Sequence, residues 1–258
     1  MMRPTDSATR ERKPLGGLWR FALDRGDAGR REGWWERPLP GDLEVPVPAS
    51  YNDLFPDIAV RDHVGDAWYQ TDVRVPARWA GERIVLRFDS ATHRAVVWLN
   101  GTQVAEHEGG YTPFEADVTD VVALGAENRV TVVVNNVLTW QSIPPGLVDE
   151  GPDGRRQRDF HDFFNYAGIH RPVWLYTTPR AHITDVTVVT ELEGTDGSVR
   201  YEVDADGPDV RVVLRDARGC DGRPGQRLRR RAHGRGCPPV APRRGLPVRA
   251  RRRAVGGR

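Results

Sequence analysis

Apolar and polar residues alternate along much of the chain with a period of two. The clearest examples are the segments 69–75, 83–88 and 129–134, where Val73, Leu86 and Val132 are among the apolar positions. This period is typical of strands with one buried face, because successive side chains of a strand point to opposite sides. Only 34–37 and 121–124 have the pattern of short helical turns. We therefore expect an all-β protein.

Turn residues divide this pattern into many short strands. The pair Asn100-Gly101 lies between the apolar segments 95–99 and 103–105, and Asn-Gly supplies the two positive φ angles of a tight hairpin turn. Short strands separated by Gly, Pro and Asp favour a sandwich or jelly roll. All eight tryptophans lie between Trp19 and Trp174, and core packing accounts for most of them. We predict one large core in residues 15–178.

The pattern changes after residue 179. The segments 183–190, 198–204 and 210–215 predict three further strands, like the opening of an immunoglobulin-like sandwich. Such a domain needs about seven strands. We therefore predict a leader at 1–14, a jelly-roll domain at 15–178 and an incomplete immunoglobulin-like domain at 179–218.

Residues 219–258 differ in composition from the rest of the chain. They contain 13 arginines and one acidic residue, whereas residues 1–218 contain 35 acidic and 25 basic residues. The segment has no aromatic ring and few apolar residues, so we expect a disordered tail. An Arg-rich tail can bind nucleic-acid phosphates, but this one lacks the aromatic residues that stack on bases. We favour the other interpretation, out-of-frame translation of GC-rich DNA from near residue 219, and expect no nucleic-acid partner.

Several exclusions follow from the sequence. No stretch approaches the roughly 18 uninterrupted apolar residues of a membrane helix, and the polar N-terminus lacks the apolar region of a secretory signal. We therefore expect a cytoplasmic protein without a membrane partner. The two cysteines, Cys220 and Cys237, are too few for a zinc site by themselves. We predict no metal and no cofactor.

Two carboxylates and four histidines are candidates for chemistry. Glu106 and Glu108 lie two apart on a predicted strand, so their side chains point the same way, about 6–7 Å apart. That spacing suits a glycosidase pair, but we interpret them as a solvated strand edge before a Gly-Gly turn. The histidines fit no metal-cluster spacing and accompany no serine or cysteine nucleophile motif, so we expect them to be structural. They are His93, His107, His161 and His170.

Eight segments resemble the β-glucuronidases of glycoside hydrolase family 2. They are 18–21, 34–36, 47–53, 64–70, 79–88, 107–118, 139–146 and 160–171. The last two read Thr-Trp-Gln-Ser-Ile-Pro-Pro-Gly and Phe-His-Asp-Phe-Phe-Asn-Tyr-Ala-Gly-Ile-His-Arg. The resemblance runs from about Arg3 to about Arg218, and it implies three domains: a jelly roll, an immunoglobulin-like sandwich and a C-terminal TIM barrel.

The resemblance also implies where the chemistry of such enzymes lies. In this family the barrel carries two catalytic glutamates, one of them after an asparagine, and an Asn and a Lys that hold the glucuronate carboxylate. No Asn-Glu pair occurs in the 258 residues. We therefore expect no catalytic residue here, an inactive chain, and doubtful formation of the homo-oligomers that the family suggests.

One residue carries over from the family pattern. Asp162, in the segment 160–171, resembles the aspartate that reaches from the jelly roll into the active site and accepts hydrogen bonds from sugar hydroxyls. A glucuronide sugar, weakly bound, is the partner that this implies. A free-standing carbohydrate-binding module is the alternative function, and an interaction protein that uses its basic tail is a third. A free-standing module would end at a domain boundary, whereas the predicted second sandwich is incomplete.

Overall fold

The computed structural model describes residues 3–152, 154–162, 164–193, 196–207, 210–213 and 227–230. The chain divides into two compact units, Met1–Thr178 and Pro179–Arg258. Strands dominate the described residues, and the two α-helices there, α1 (Ala28–Arg31) and α2 (Ile58–Arg61), have four residues each. Within those residues no helix has the length and apolar character that a bilayer crossing requires. The prediction of an all-β protein is confirmed.

The first unit is built from two antiparallel sheets and one separate hairpin. Its strands are β1 (Arg12–Pro14), β2 (Gly17–Leu23), β3 (Glu44–Val47), β4 (Asp66–Arg74), β5 (Arg83–Phe88), β6 (Arg94–Leu99), β7 (Thr102–Glu108), β8 (Phe114–Asp117), β9 (Glu127–Asn135), β10 (Gly146–Gly151), β11 (Gly154–Asp159) and β12 (Val173–Thr178). One sheet has the order β3-β2-β4-β9-β6-β7 and the other the order β1-β12-β5-β8, while β10 and β11 form the hairpin. Two short 3-10 turns, Tyr51–Asp53 and Ala77–Trp79, lie in the connections.

The main core lies between the two sheets. Phe21 and Tyr69 come from β2 and β4 of the larger sheet, and Leu86 and Leu175 come from β5 and β12 of the smaller one. All four are buried at alternate positions of their strands, as the period of two predicts. The structure is therefore a sandwich whose inner faces are the apolar positions of the sequence pattern.

A second apolar layer covers the other face of the six-stranded sheet. Trp68 alternates with the core residues of β4 and is buried there, with Trp98 stacked at 5.5 Å and Trp35 beyond it. The Asp24 carboxylate accepts hydrogen bonds from the Trp68 indole and from the first backbone N–H groups of α1. The helix thus begins six residues before the predicted turn at 34–37, which contains turns only. The predicted helical turn at 121–124 is also not helical.

The predicted hairpin is confirmed. Asn100 and Gly101 connect β6 to β7 with φ angles of 52° and 82°. Two successive positive φ angles match the twist of the flanking strands. The Asn100 side chain also accepts a hydrogen bond from the backbone N–H of Arg129, at 2.9 Å, which ties the turn to β9.

The second unit is one sheet in the described residues. Its strands β13 (His182–Glu193) and β14 (Asp196–Asp206) pair antiparallel, and β15 (Arg227–Arg230) pairs parallel with β14. The first two confirm the strands predicted at 183–190 and 198–204. The third prediction, 210–215, is wrong over the described residues 210–213, which form no strand. The strand that pairs with β14 on the side away from β13 is β15. The predicted disordered tail lies outside the described residues except at 227–230, where backbone pairing replaces the expected disorder.

Candidate functional site

The candidate site is the loop of residues 160–171, which connects β11 to β12 and carries Asp162. Asp162 is exposed, and the loop then turns inward, so that Ala167 and Ile169 are buried. The loop therefore has an exposed first half and a second half that belongs to the core. The contacts of the second half determine where Asp162 is held.

Backbone hydrogen bonds fasten the inner half to two neighbouring segments. Tyr51 donates its N–H to the carbonyl of Ala167 at 3.2 Å, and Ala167 donates to the hydroxyl of Ser50 at 2.8 Å. Thr92 donates both its backbone N–H and its hydroxyl to the carbonyl of Gly168, at 3.0 and 3.1 Å. The polar backbone of a buried segment is thereby satisfied, which its burial requires.

Gly168 can be no other residue without distortion. Its φ is +90°, a conformation that L side chains rarely adopt, and a Cβ built on it would lie 2.0 Å from the Tyr69 hydroxyl. The backbone of the loop therefore passes directly over the ring of Tyr69, a core residue of β4.

Asn165 fixes the loop three residues after Asp162. Its backbone carbonyl accepts a hydrogen bond from Asn52 Nδ2 at 3.0 Å, and its Oδ1 lies 3.0 Å from His93 Nε2. Asn52 belongs to the 3-10 turn after β3, and His93 precedes β6. Two elements distant in sequence therefore converge on this one residue, one at its backbone carbonyl and one at its side chain.

His170 closes the loop and is packed among aromatic rings. It stacks on Tyr166 at 5.3 Å, and its ring nitrogens lie 3.2 Å from Ser90 Oγ and 3.3 Å from Thr92 Oγ1. Burial lowers the pKa of His170 to about 4, helped by the positive charge of Arg171 and by repulsion from His93 when that ring is protonated. Burial likewise lowers the pKa of His93. Both rings are therefore neutral at physiological pH.

Asp162 has no hydrogen bond or ion pair with the described part of the chain, and its carboxylate faces solvent. An ionised carboxylate only accepts hydrogen bonds, and both of its oxygens are available to donors. This arrangement suits a group that accepts hydrogen bonds from an external ligand. Whether that ligand is a sugar stays a prediction.

Exposed aromatic rings flank Asp162 on both sides in sequence. Phe160 precedes it and stacks on Trp140, with ring centroids 4.9 Å apart and planes 17° apart. Phe164 follows it and packs edge-on against Tyr166 at 5.2 Å. Most tryptophans were predicted to lie in the core, but Trp140 is 65% exposed. The signal that could have found it is its place in a Pro-Pro loop rather than in an alternating strand.

The candidates Glu106, His107 and Glu108 lie on β7, outside this loop. Glu106 and Glu108 are exposed on β7, an edge strand, and Glu108 pairs with Arg94 at 3.7 Å, which fits the solvated edge that we predicted. His107 stacks on Phe114 at 4.5 Å. Among the residues that the structure describes, no three potential ligands are placed to hold a metal ion.

A polar cleft of about 1370 Å³ adjoins the loop at Phe164 and Asn165. Asn136 and Gln157 lie along it, but their side chains are used internally: Asn136 Oδ1 accepts from the backbone of Gly65, and Gln157 Oε1 accepts from the backbone of Leu138. The carboxamides of the cleft therefore stabilise the surrounding loops.

Comparison with known proteins decides the family. The sequence model of glycosyl hydrolases family 2, sugar binding domain, matches residues 12–179. The chain belongs to this family. The match covers the whole sandwich of the first unit, from β1 to β12, and includes the Asp162 loop.

Relatives within the family are β-glucuronidases. The chain is 51% identical over 227 residues to the β-glucuronidase of Paenibacillus borealis, covering 85% of this chain and 38% of that protein. It is 42% identical over 229 residues to that of Homo sapiens, covering 81% and 35%. A solved β-glucuronidase from Ruminococcus gnavus in complex with D-glucuronic acid matches with a TM-score of 0.77 and 40% identity, covering 84% of this chain and 38% of that one. The chain thus spans a little over a third of the length of the relatives it matches.

Proposed function

We propose that this chain is the N-terminal sugar-binding part of a retaining β-glucuronidase, and that it contributes Asp162 to the site that holds the glucuronide. The observation that carries the proposal is the anchored loop 160–171, which presents an exposed carboxylate that has no partner among the described residues. The similarity to β-glucuronidases, one of them solved with D-glucuronic acid, supports the choice of sugar.

The role of Asp162 is to accept hydrogen bonds from sugar hydroxyls. Hydrogen bonds to a charged acceptor contribute about 1.5–3 kcal/mol each, more than neutral ones. The anchors at Asn165 and Ala167 order the neighbouring backbone before the ligand arrives, which lowers the entropy lost on binding. Because glucuronate is itself an anion, its carboxylate would be directed away from Asp162.

Hydrolysis requires groups that these residues do not supply. A retaining glycosidase uses two carboxyl groups about 5–5.5 Å apart, one as acid and base and one as nucleophile. In the family those are barrel glutamates, and the 258 residues contain no Asn-Glu pair. We propose that a polypeptide of these residues binds glucuronides weakly and does not hydrolyse them. The predictions of a cytoplasmic location, of no nucleic-acid partner and of doubtful oligomer formation stay predictions.

A free-standing carbohydrate-binding module is the second candidate. The exposed stack of Trp140 on Phe160 favours it, because flat aromatic surfaces suit the apolar faces of sugars. The two functions differ in affinity: a module that works alone should bind a sugar with submillimolar affinity, whereas half of a composite site should bind at millimolar concentrations or above, since 1 mM needs about 4 kcal/mol.

A chimera tests the proposed function. Residues 1–218 would replace the matching N-terminal part of the Paenibacillus borealis β-glucuronidase, to which the chain is 51% identical. We expect the chimera to hydrolyse an aryl β-D-glucuronide with kcat/KM within about 100-fold of the parent, since such a loss is only about 2.7 kcal/mol of transition-state stabilisation. A folded chimera with no activity would contradict the proposal.

A further inference from the structure

His93 is a buried histidine whose side chain contacts the Asp162 loop. Its side chain lies within the core, 3% exposed, and the Nε2 atom lies 3.0 Å from Asn165 Oδ1. The other ring nitrogen, Nδ1, is also buried and has no hydrogen bond among the described residues. Because buried polar atoms are rarely left without a partner, the proton on this ring has one favourable position.

The surroundings of the ring fix where that proton is. Burial lowers the pKa of His93, so the ring is neutral at physiological pH and carries one N–H. Asn165 Oδ1 only accepts hydrogen bonds, so the N–H that suits it is on Nε2. A proton on Nδ1 would leave a buried N–H without an acceptor and would place two acceptor atoms 3.0 Å apart. His93 is therefore the Nε2–H tautomer.

The backbone that carries this donor belongs to the sandwich. His93 donates its N–H to the carbonyl of Asn135, the last residue of β9, at 2.7 Å, and its carbonyl accepts the N–H of Gly109 at 2.9 Å. A Cβ built on Gly110 would lie 2.5 Å from His93 Nδ1, so the ring is also closely packed on that side. The donor is thus fixed relative to the core, and Asn165 is fastened to the core through it.

Other bonds hold the backbone of the loop but not the Asn165 side chain. Asn52 Nδ2 donates to the carbonyl of Asn165 at 3.0 Å, and Asn52 Oδ1 accepts from the Ser50 hydroxyl at 2.5 Å. That hydroxyl accepts the N–H of Ala167 at 2.8 Å. Among the described residues, the hydrogen-bond partner of the Asn165 carboxamide is His93.

We propose that His93 is a positioning residue for Asp162: its Nε2–H donates to Asn165 Oδ1 and holds the loop so that the Asp162 carboxylate meets the sugar. This inference rests on the proposed function and deepens it. Three residues of chain span at most about 11 Å, so the anchor at Asn165 limits how far Asp162 can move. A loop that is not held loses more entropy when the sugar binds, and the affinity falls accordingly.

Two substitutions of His93 in the complete chain form a matched pair. In His93→Gln the amide nitrogen lies about where Nε2 lies, so a donor to Asn165 is kept. In His93→Asn the amide nitrogen lies near the position of Nδ1, so that donor is lost. Asn165→Ala removes the acceptor instead, from a half-exposed position, and keeps the backbone carbonyl that Asn52 contacts.

Backbone ¹⁵N relaxation measures the order of residues 160–166, and titration with methyl β-D-glucuronide measures the sugar affinity. We expect His93→Asn and Asn165→Ala each to lower the order of the loop and to weaken the sugar about threefold to tenfold, roughly the worth of one hydrogen bond. His93→Gln should stay within about twofold of the unmodified chain. His107→Asn is the control, because His107 lies on β7 and stacks on Phe114, and it should change neither quantity.

Combining the substitutions separates positioning from a general structural role. If His93 acts through Asn165, His93→Asn should cause no further loss of loop order or affinity in a chain that already carries Asn165→Ala. Losses that add would overturn the proposal, as would equal effects of His93→Asn and His93→Gln. The ring ¹⁵N chemical shifts of His93 report the tautomer directly, and a proton on Nδ1 would also overturn it. Should neither His93 variant fold, Asn165→Ala and the ring shifts decide.

Failure of the proposed function gives a different result. Absence of binding by the unmodified chain, or binding that Asp162→Ala leaves unchanged, would overturn the proposed function and the positioning role together. Binding that depends on Asp162 but is unchanged in His93→Asn and Asn165→Ala would overturn the positioning role alone.

Discussion

Single residues decide how firmly the Asp162 loop packs on the core, and a substitution at Gly168 is the sharpest test of this. An added Cβ at Gly168 would lie 2.0 Å from the Tyr69 hydroxyl, whereas at Gly154 it would meet no described atom within 4 Å. Both glycines have positive φ angles, +90° and +103°. Gly154→Ala should therefore cost only backbone strain, about 1–3 kcal/mol, and Gly168→Ala should cost at least about 2 kcal/mol more through overpacking.

Urea unfolding followed by tryptophan fluorescence measures both free energies. Equal losses for Gly168→Ala and Gly154→Ala would show that the loop does not rest on Tyr69 as described. Because the clash lies in the core, we also expect Gly168→Ala to loosen the loop that carries Asp162.

His170 should make the first unit sensitive to acid. Its pKa is about 4 in the folded chain, against 6.5 for an ordinary histidine, so between these values the unfolded state binds more protons. Stability is therefore fully present above about pH 6.5 and is lost as the pH falls toward 4. We expect a loss of about 1–2 kcal/mol at this half-buried ring, after solvent screening.

The difference between the unmodified chain and His170→Gln isolates this effect, because other titrating groups cancel. The free energy of unfolding would be measured at pH 7, 5.5 and 4.5 for both proteins. The advantage of the unmodified chain should shrink, or reverse, as the pH falls. A difference that stays constant over this range would mean that His170 is not held neutral by burial.

Asp162 was predicted from the resemblance of the segment 160–171 to the family. The residues that position its loop were not predicted. Asn52, His93 and Asn165 are three polar residues from distant segments, and nothing in their spacing shows that they meet. The exposure of Trp140 was missed for the same reason: whether a ring is covered depends on neighbours that folding brings from elsewhere in the chain. Local pattern carries no information about such contacts.

Among the elements, long alternating strands were the easiest to predict. The pattern at 83–88 coincides with β5, and 129–134 lies within β9. The helices α1 and α2 were not predicted, since four residues are too few for a helical period to appear. The strand at 210–215 was predicted from its residue pattern after a turn signal at 206–208. Over residues 210–213 the prediction fails, because a local pattern does not say which strand will occupy a sheet edge.

The strands β13 and β14 lead to a prediction about solubility. β13 is an edge strand of the described sheet and exposes Ile183, Val186 and Val188. Exposed apolar strands with unpaired edges invite association between copies. A polypeptide that ends at Thr178, the limit of the first unit, should therefore remain monomeric at higher concentration than the 258-residue chain. Light scattering over a concentration series measures this, and greater aggregation of the shorter polypeptide would contradict it.

For the molecule as a whole, the account predicts binding without hydrolysis. The purified 258-residue chain should release no product from an aryl β-D-glucuronide above the uncatalysed rate. A retaining site needs two carboxylates, the family resemblance assigns both to the barrel, and the 258 residues contain no Asn-Glu pair. The assay needs protein made in a host that lacks its own β-glucuronidase. Turnover that copurifies with the chain and disappears on unfolding would show that a catalytic pair exists here after all.

At this level the sequence predicted the all-β class and the family, both of which are confirmed. The resemblance was decisive for the family, because dense collinear segments such as 160–171 identify it where alternation alone indicates only a sandwich. The nature of residues 219–258 lies almost wholly outside the described part of the chain, apart from the strand at Arg227–Arg230. Their Arg-rich composition remains the basis of the frameshift hypothesis.

The central claim is that Asp162 completes a glucuronide site together with a barrel, and activity in the chimera tests it most directly. Asp162→Ala should lower kcat/KM for an aryl β-D-glucuronide at least about tenfold, or about 1.4 kcal/mol. The matched control is Asp149→Ala, since Asp149 is also exposed and its ion pair with Arg158 is long, at 3.8 Å. The account predicts near-parental activity for Asp149→Ala and the tenfold loss for Asp162→Ala. An Asp162→Ala chimera within twofold of the unmodified chimera would contradict it.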